Sequence, residues 1–436
     1  MKSWDAEKGM ALARAGAAEI EKRQDELVRR HVSYCAERSP FYRELFRRQG
    51  IDPSGVRRLG DLAELPLTEK RHLEESHADF LALPQAEVTD LCLTSGTTGK
   101  PIAMLQSNAD LERLAYNEEL SFRGVGITCE DRVLVAAAID RCFMAGLAYF
   151  LGLTRIGATV IRGGSSSTAL LVELVRNCRP SAIIAVPTLL LALARKLEEE
   201  GLEPALLGVN RLICIGEPVR TPGFSLSPLG ERLFQAWGCQ IFGTYASTEM
   251  ATSFTDCAAG LGGHLHPDLI AVEIVDENGR PVPDGTPGEV VATPLGTSAM
   301  PLLRFRTGDI AALHRDPCAC GRNTPRLGPV VGRKSQMLKV RGTTVYPPAI
   351  ATVLQGMAGV QGFYIEAEND FALSDRIRVV VGSRDPGLSP SRVAKRIAAA
   401  IRVSPEVVLV SPEEVLRVTM QEDKRKPVLF FDRRTP

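Results

Sequence analysis

The spacing of apolar positions changes twice along the chain. In residues 6–37 apolar side chains recur at intervals of three and four, and Ser39 and Pro40 precede a second stretch of the same kind, so the pattern predicts two helices between residues 6 and 48. From residue 90 onward, helical stretches such as TALLVELVRNC separate short β-branched runs, namely RVLVAAAI, ATVIRG, SAIIAVP and RLICIG. Alternation of this kind is typical of βαβ units and predicts a largely parallel sheet.

After residue 270 the pattern changes to short strands and turns. The stretch AVEIVDENGRPVPDGTPGEVVATPL places two strands around turn-forming segments and predicts a small antiparallel subdomain. From Gly332 on, short strands accompany an alanine-rich helix over about 100 residues, the usual size of a domain. We therefore predict an α/β fold with a large N-terminal domain (residues 1–332) of βαβ-type sheets and a small, mobile α+β C-terminal domain (residues 333–436).

Composition and charge narrow the classes of partner. The chain has 436 residues, with 52 Lys and Arg against 52 Asp and Glu, and its formal net charge is zero. A neutral balance gives no attraction to polyanions, so we expect neither nucleic acid nor a membrane as a partner. The longest apolar run, Cys142 to Leu153, is shorter than the roughly 20 residues of a transmembrane helix, and the N-terminus lacks a signal-peptide pattern. We expect a cytoplasmic protein whose oligomeric state, a homodimer included, stays open.

Most cysteine and histidine residues indicate no chemistry. Ten cysteines are too few for a disulfide scaffold in a chain of this length, and most stand in apolar settings typical of core positions. His31, His72 and His77 fall on the polar N-terminal helices, where we expect solvated side chains.

One segment, LTSGTTGKPIAM (93–104), is dense in glycine and hydroxyl residues. Glycines let a backbone approach an anion closely, and hydroxyl and N–H groups donate hydrogen bonds to it. The segment is not a P-loop, because only two residues separate Gly96 from Gly99 and Pro101 follows Lys100. It predicts an anion-binding loop of another kind.

Five segments resemble, in order, the motifs of the adenylate-forming superfamily, which includes acyl-CoA synthetases, peptide-synthetase adenylation domains and luciferases. They are TSGTTGKP, GTYASTEM (243–250), RFRTGD (304–309), GRKSQMLKVRG (332–342) and DKRKPVLFFDRR (423–434). SPFYRELFRRQGI, LPLTEK, IGEP and the cysteine pair before Gly-Arg are similar to the phenylacetate-CoA ligase branch. The resemblance covers nearly the whole chain and implies an AMP-forming acid–thiol ligase that uses ATP, Mg²⁺ and coenzyme A.

Adenylation joins a carboxylate to the α-phosphate of ATP, which requires a phosphate cradle, a divalent cation and a positive group at the bridging oxygen. By resemblance, Thr248 contacts the α-phosphate and Glu249 binds Mg²⁺, a hard cation that prefers oxygen ligands. The residues that the resemblance assigns to the β- and γ-phosphates are Thr94, Ser95, Gly96, Thr97, Thr98, Gly99 and Lys100.

The same resemblance assigns the rest of the nucleotide and the thiol substrate. Tyr245 offers a flat face near the adenine and aryl sites, Asp309 accepts hydrogen bonds from the ribose hydroxyls, and Arg333 meets the ribose or the phosphate. The adenine-facing turn comprises Gly216, Glu217 and Pro218. The residues at the coenzyme A tunnel are Lys339, Arg341 and Gly342.

The C-terminal segment carries the catalytic lysine of the family, six residues before an aspartate. Counting back from Asp432 identifies Lys426, whose role is to neutralise charge on the carboxylate and the bridging oxygen, and Lys424 is the alternative. Because Arg425 and Pro427 flank Lys426, a nucleotide-binding scaffold without catalysis is a further hypothesis.

The hinge segment departs from related ligases, since Ser335 and Gln336 stand where those ligases carry acids. An amine, a hydroxyl or a carrier protein therefore remains an alternative acyl acceptor to coenzyme A.

A cysteine and histidine set predicts a structural zinc site. Cys318 and Cys320, separated by one residue, can direct both thiolates toward one cation, and Cys257 and a histidine complete a Cys₃His tetrahedron. Register against related ligases favours His264 over His266, which stays the alternative.

The acyl pocket is inferred from the resemblance alone. Phe143, Tyr149 and Phe150 suit a flat slot for an aromatic acid, and Arg141 either meets the substrate or faces solvent. The predicted activity is that of an aryl acid (phenylacetate-like) CoA ligase. The predicted lining residues are Arg141, Phe143, Phe150, Val186, Pro187, Tyr245 and Ala246.

Overall fold

The computed structural model describes residues 4–94, 101–164, 166–340, 343–369, 374–420 and 427–434. Within these ranges, no helix combines the length and the apolar character that crossing a membrane would require. The helices are α1 (Ala6–Arg14), α2 (Ala17–Arg38), α3 (Pro40–Gln49), α4 (Lys70–Glu75), α5 (Asn108–Gly124), α6 (Met144–Ile156), α7 (Thr168–Cys178), α8 (Pro187–Glu199), α9 (Pro228–Trp237), α10 (Pro347–Gln355), α11 (Pro390–Ile401) and α12 (Pro412–Thr419).

The strands are short and distributed along the chain from residue 88 onward. They are β1 (Val88–Leu93), β2 (Ala103–Ser107), β3 (Arg132–Val135), β4 (Thr159–Arg162), β5 (Ala182–Ala185), β6 (Arg211–Ile215), β7 (Gln240–Ser247), β8 (Thr252–Thr255), β9 (Gly263–His264), β10 (Ile270–Val275), β11 (Gly288–Pro294), β12 (Phe305–Ala311), β13 (Leu313–His314), β14 (Arg326–Leu327), β15 (Gly332–Arg333), β16 (Leu338–Val340), β17 (Thr343–Val345), β18 (Gly362–Asn369), β19 (Asp375–Gly382), β20 (Glu406–Val410) and β21 (Phe430–Asp432).

The N-terminal helical region contains three helices where the apolar spacing predicts two. The first predicted helix is interrupted because Ala15 and Gly16 are extended, with ψ of 165° and 154°. Gly16 favours such a break, since glycine loses more conformational entropy in a helix than other residues. The second predicted helix is present as α3, and it begins at Pro40, whose fixed φ suits a first helical position.

The predicted parallel sheet is present in the order β4-β3-β5-β6-β7-β8, with β8 antiparallel to β7. Alternate residues of its strands face two different cores. Ile183 packs in one core with residues of α7 and α8, whereas Ile184 packs in another with residues of α5 and α6. Helices therefore cover both faces of the sheet, as βαβ units require, and the βαβ prediction is confirmed.

The predicted antiparallel segment is also present. β10 pairs with β11 in antiparallel register from Ile270 opposite Pro294 to Val275 opposite Glu289. The short strands β13, β14 and β9, from the same part of the chain, form a separate three-stranded sheet in that order. The α/β fold class with an antiparallel subdomain is thus confirmed.

The chain divides into two compact units. Unit 1 comprises Met1–Leu226, Gly230–Thr307 and Ala311–Val330, and unit 2 comprises Ser227–Leu229, Gly308–Ile310 and Val331–Pro436. In unit 2, the strands β20-β19-β18-β21 form one sheet, and its core includes Ile365, Val379 and Ile397. A domain boundary between residues 332 and 333 stays a prediction.

Candidate functional site

The carboxyl edge of the parallel sheet gathers the candidate residues of unit 1. In an open α/β sheet, ligands bind outside the carboxyl ends of the strands. The segments that follow β3, β5 and β6 at this edge carry Arg141 and Phe143, Val186 and Pro187, and the turn at Gly216. The end of β7 carries Tyr245 and leads into the next turn. Because these four strands are parallel and adjacent, candidates separated by up to about a hundred positions in the sequence share one edge.

Two paired strands, β1 and β2, flank the predicted phosphate loop in the sequence. β1 pairs with β2 up to Leu93 opposite Ala103, and Thr94 continues the pairing: its N–H donates to the Ile102 carbonyl at 2.9 Å, and its Oγ1 accepts from the Ile102 N–H at 2.9 Å. Thr94 is buried and closes the base of the loop. The remaining predicted loop residues, Ser95, Gly96, Thr97, Thr98, Gly99 and Lys100, lie outside the described residues.

The turn after β7 carries the predicted α-phosphate and Mg²⁺ residues. The Ala251 N–H donates to the Thr248 carbonyl at 3.2 Å, and Ala251 adopts a left-handed φ of 45°. Met250 is fully buried and anchors the turn, while Thr248 and Glu249 are half-buried. The turn therefore keeps its apolar residue in the core and leaves a hydroxyl and a carboxylate near the surface.

Tyr245 and Ala246 lie at the end of β7, just before this turn. The Tyr245 ring stacks on Phe254 of β8, with centroids 6.0 Å apart and 17° between the ring planes. Stacking on one face fixes the plane of the tyrosine ring, and Ala246 beside it is exposed.

The turn predicted to face the adenine is tied to the start of α8. The Glu217 carboxylate accepts from the Thr188 N–H at 3.1 Å and from the Thr188 hydroxyl at 3.0 Å. A carboxylate at a helix N-terminus satisfies free N–H groups and the helix dipole. Gly216 has a φ of 75°, and the exposed Pro218 completes the turn. Glu217 thus holds its own turn against α8.

The predicted acyl residues between β3 and α6 follow a strained backbone. Arg141 and Cys142 have left-handed φ values of 57° and 54°, and the Leu93 N–H donates to the Cys142 carbonyl at 2.8 Å. This bond places the end of β1, and with it the base of the phosphate loop, beside the carboxyl edge of the sheet. The side chain of Arg141 is 65% exposed and pairs with Asp140 at 3.4 Å.

The two candidate phenylalanines lie beside and within helix α6. Phe143 precedes the first turn of α6 and is half-buried, as is Phe150 within the helix. The guanidinium carbon of Arg162 lies 5.9 Å from the centroid of the Phe150 ring, a cation–π distance. Val186 directly precedes α8, and Pro187 is the first residue of this helix and is buried. Both follow β5, which is the neighbour of β3 in the sheet.

Unit 2 carries the candidate ribose and coenzyme A residues. Asp309 is buried and accepts from Arg333 Nε at 3.0 Å, and the two residues face each other in the β12–β15 pairing. Lys339 is exposed on β16. Arg341, Gly342, Lys424 and Lys426 lie outside the described residues.

The predicted metal ligands come together in unit 1. Cys257, His264, Cys318 and Cys320 each offer a ligand atom, and these atoms all lie within 4.8 Å of one another. Cys257 Sγ is 3.6 Å from Cys318 Sγ, and Cys320 Sγ is 3.2 Å from His264 Nε2. The alternative histidine, His266, is buried elsewhere and pairs with the Ser121 hydroxyl at 3.2 Å. The donor set of three sulfurs and one imidazole is typical of structural zinc sites.

The protonation of His264 suits a metal ligand, whereas burial disfavours the thiolate form of Cys318. Burial lowers the pKa of His264 to about 3, so the ring is neutral at physiological pH. His264 Nδ1 lies 3.0 Å from the Thr324 carbonyl, an acceptor that requires the proton on Nδ1 and leaves the Nε2 lone pair toward Cys320. Burial raises the pKa of Cys318 to about 12, whereas hydrogen bonds from Arg322 outweigh burial and lower the pKa of Cys320.

Comparison with known proteins identifies the family. A family model described as AMP-binding enzyme matches residues 17–298, more than half of the chain. The chain belongs to the AMP-binding enzyme family. The phenylacetate-coenzyme A ligase of Thermus thermophilus is 32% identical to it over 346 residues, which cover 78% of this chain and 76% of that protein. The phenylacetate-coenzyme A ligase of Aromatoleum evansii is 26% identical over 426 residues, which cover 95% of each.

A solved structure extends the similarity to the fold. A 2-hydroxyisobutyryl-CoA ligase in the postadenylation state, in complex with R3-HIB-AMP, matches with a TM-score of 0.84 and 26% identity, covering 95% of this chain and 90% of that one. The predicted superfamily, its phenylacetate-CoA ligase-like branch and the enzyme class, an AMP-forming acid–CoA ligase, are thereby confirmed.

Sequence reasoning missed two supporting residues of this AMP-binding enzyme. Thr188 holds Glu217, and Thr324 orients His264. Thr188 directly follows Val186-Pro187 at a helix start, so helix-capping chemistry was a usable signal. For Thr324 the sequence carries no comparable signal, because its contact with His264 spans 60 positions.

Proposed function

We propose that this AMP-forming ligase activates an aromatic carboxylic acid with ATP and passes the acyl group to coenzyme A. The observation that carries the proposal is the bond between Leu93 and Cys142, because it joins the base of the phosphate loop to the segment that we assign to the acyl pocket. A nucleotide tail and a carboxylate must meet for adenylation, and this contact brings the two binding segments together.

In the first step a carboxylate oxygen attacks the α-phosphorus of ATP, a new P–O bond forms, and the bond to the pyrophosphate oxygen breaks. We assign the β- and γ-phosphates to the loop 94–100, the α-phosphate to Thr248, and the ribose to Asp309 with Arg333. Glu249 would hold Mg²⁺, which neutralises phosphate charge when bound. In the second step the sulfur of coenzyme A attacks the acyl carbon, AMP leaves, and the thiol proton passes to solvent.

The catalytic lysine can be tested with a pair of neighbouring variants. We assign charge neutralisation at the bridging oxygen to Lys426, so Lys426→Ala should lower the rate of ATP–pyrophosphate exchange by about 100-fold or more, the usual effect of losing a preorganised electrostatic group. Lys424→Ala, two positions away, is the matched control and should retain most activity. A larger loss in Lys424→Ala than in Lys426→Ala would assign the role to Lys424. Turnover by the wild type would exclude the hypothesis of a nucleotide-binding scaffold without catalysis.

The aromatic class of the acid rests on the named relatives and on Phe143 and Phe150. Phenylacetate-coenzyme A ligases are the relatives at 32% and 26% identity. A second candidate, a short hydroxy acid, is favoured by the similarity to a 2-hydroxyisobutyryl-CoA ligase. Pyrophosphate release with phenylacetate, substituted benzoates and 2-hydroxyisobutyrate at equal concentration separates the two, and the proposal fails if the hydroxy acid has the highest kcat/KM.

The acyl acceptor is a separate question. Ser335 and Gln336, which replace acids at the hinge, favour an amine, hydroxyl or carrier-protein acceptor as the alternative. Thioester formation with free coenzyme A, followed by chromatography of the product, supports the main proposal. Release of the acyl-AMP without thioester in the presence of coenzyme A would support the alternative.

We further propose that Cys257, His264, Cys318 and Cys320 bind one structural Zn²⁺. Four protein ligands leave no open position for a water molecule, so this ion has a structural rather than a catalytic role. Metal analysis of the purified protein should find about one equivalent of zinc. The Cys318→Ala/Cys320→Ala variant should lose it, and a native protein free of zinc would contradict the assignment.

A further inference from the structure

One buried side of α5 is polar, although the helix also buries apolar residues elsewhere. Asp110, Arg113, Asn117 and Ser121 are spaced by three and four positions, so they lie along one side of the helix, and all four are buried. We call these four residues the polar stripe. A helix that packs on a core normally presents an apolar stripe. Buried polar groups persist where each has a defined partner, so the partners of the polar stripe indicate what it holds.

Arg113 holds the segments around the Glu249 turn. Its side chain is 1% exposed, and its nitrogens donate to the carbonyls of Ala251 at 2.6 Å, Leu269 at 2.6 Å and Leu295 at 2.8 Å, and to the Thr252 hydroxyl at 3.1 Å. The planar guanidinium directs these donors in a rigid fork, which a lysine ammonium cannot reproduce. Three separate segments are thus bound to one side chain.

The contact with Ala251 matters most, because Ala251 closes the turn that carries Glu249. Its left-handed backbone is unfavourable for a residue with a Cβ and persists only where surrounding contacts enforce it. The Ala251 N–H binds Thr248, and the Ala251 carbonyl binds Arg113. Arg113 therefore supports the turn from its C-terminal end.

The rest of the polar stripe fixes the segments on either side of this contact. Asn117 Oδ1 accepts from the Ser253 N–H at 3.3 Å, and Asn117 Nδ2 donates to the Ser253 hydroxyl at 3.0 Å, so β8 is held directly after the turn. At the other end, Asp110 accepts from the N–H of Ser107, the last residue of β2, at 3.0 Å. α5 therefore binds the end of β2 and the start of β8, on either side of the Arg113 contact.

We propose that Arg113 is a positioning residue that holds the Thr248–Glu249 turn in one conformation, so that the Glu249 carboxylate is oriented to bind a metal ion together with ATP. The inference rests on the proposed function of Glu249 and goes beyond it by naming the side chain that orients the turn. Arg113 itself is buried and has no part in the chemistry.

Equilibrium binding of a non-hydrolysable ATP analogue, with Mg²⁺ and with EDTA, tests this role without relying on turnover. In the wild type, Mg²⁺ should strengthen binding. In Arg113→Met the gain from Mg²⁺ should fall by about 10-fold, as for residues that orient a metal ligand, while binding in EDTA stays the same. Arg113→Lys, which keeps the charge but loses the fork, should lie between the two.

Leu120→Ala is the matched control, because Leu120 is equally buried on α5 but packs in an apolar cluster with Tyr116 and Leu269. It should lose stability and keep the full gain from Mg²⁺. If Arg113→Met does not fold, Arg113→Lys carries the test. An unchanged gain in the folded Arg113 variant overturns the inference.

The Glu249→Gln background separates the two proposals. If Arg113 acts through the turn, Arg113→Lys should change the Mg²⁺ gain in the wild type but add nothing in Glu249→Gln. A wild type that binds the analogue equally with and without Mg²⁺ refutes the proposed role of Glu249. A Mg²⁺ gain that depends on Glu249 but not on Arg113 refutes only the inference.

Discussion

Helices α5 and α7 pack on opposite faces of the same parallel sheet and bury different kinds of side chain. α7 buries Leu171, Val172 and Val175, an apolar face. α5 also contributes apolar residues to the other core, but in addition it buries the polar stripe. Hydrophobic contacts are non-directional, whereas hydrogen bonds depend on angle and distance. The apolar face of α7 therefore adds stability without fixing the exact positions of its neighbours. The hydrogen bonds of α5, in contrast, set the positions of the segments that it binds.

The largest expected effect comes from removing the carboxylate of the polar stripe. Asp110 accepts from the N–H groups of Ser107 at 3.0 Å, Ser298 at 2.6 Å and Ala299 at 3.0 Å. Asp110→Ala leaves these buried donors without their acceptor and should lower the free energy of unfolding by about 4 kcal/mol in urea titrations. Asp110→Asn, which keeps one acceptor oxygen, should lose less. A loss below about 1 kcal/mol in Asp110→Ala would contradict the claim that α5 fixes neighbouring segments through its buried hydrogen bonds.

The next effect depends on pH and concerns a buried acid beside the polar stripe. Burial raises the pKa of Glu118 to about 7, and one of its carboxylate oxygens is buried without a hydrogen-bond partner among the described residues. A raised pKa in the folded state means that the native protein binds the proton more tightly than the unfolded chain. The contribution to stability is therefore full below the ordinary pKa of a glutamate and is lost as the pH rises through 7.

Glu118→Gln removes this titration while it keeps the shape of the side chain. Relative to the wild type, the variant should gain up to about 3 kcal/mol in free energy of unfolding between pH 4.5 and pH 8, since one pKa unit corresponds to about 1.4 kcal/mol. Chemical denaturation at several pH values measures the difference. Glu112→Gln, on the exposed side of α5, is the control and should show no such trend.

The smallest effect is expected on the apolar side of the comparison. Val172 on α7 is fully buried among apolar residues. Val172→Ala should lower the free energy of unfolding by about 2 kcal/mol, from two lost methyl groups and the cavity that they leave. Well below the melting temperature, adenylation activity and the gain in ATP affinity from Mg²⁺ should stay unchanged. If a variant of α7 weakened the Mg²⁺ effect, α5 would not be alone in positioning the segments around the Glu249 turn.

Local patterns were sufficient for the parallel sheet. The four predicted β-branched runs contain β3 to β6, and the stretch TALLVELVRNC coincides with α7. β3, β5 and β6 are buried at almost every position, so nearly all of their residues must be apolar, and this pattern is visible in the sequence without reference to distant residues. The edge strand β4 is exposed at both ends, where it carries Thr159 and Arg162.

Local patterns failed where a polar side chain is buried. We expected His31 to be solvated on a polar helix, and this was wrong: it is 3% exposed, and its Nε2 lies 3.1 Å from the Leu302 carbonyl. The sequence of the polar stripe likewise predicts an exposed helix face, because Asp110, Arg113 and Asn117 are polar. Apart from the local bonds of Asp110 and Asn117, the partners of these residues lie more than a hundred positions away, so local spacing does not reveal them.

The sequence by itself determined the family, the alternation of strands and helices, and the chemical types in each candidate site, because these depend on residues that are close together or in a fixed order. Only the tertiary structure decided that His264 rather than His266 joins the three cysteines, that Glu217 holds the start of α8, and that Arg113 lies behind the Glu249 turn. Each of these outcomes requires two distant segments to meet within hydrogen-bonding or ligand distance. That condition is set by packing in three dimensions, and neighbouring residues in the chain do not encode it.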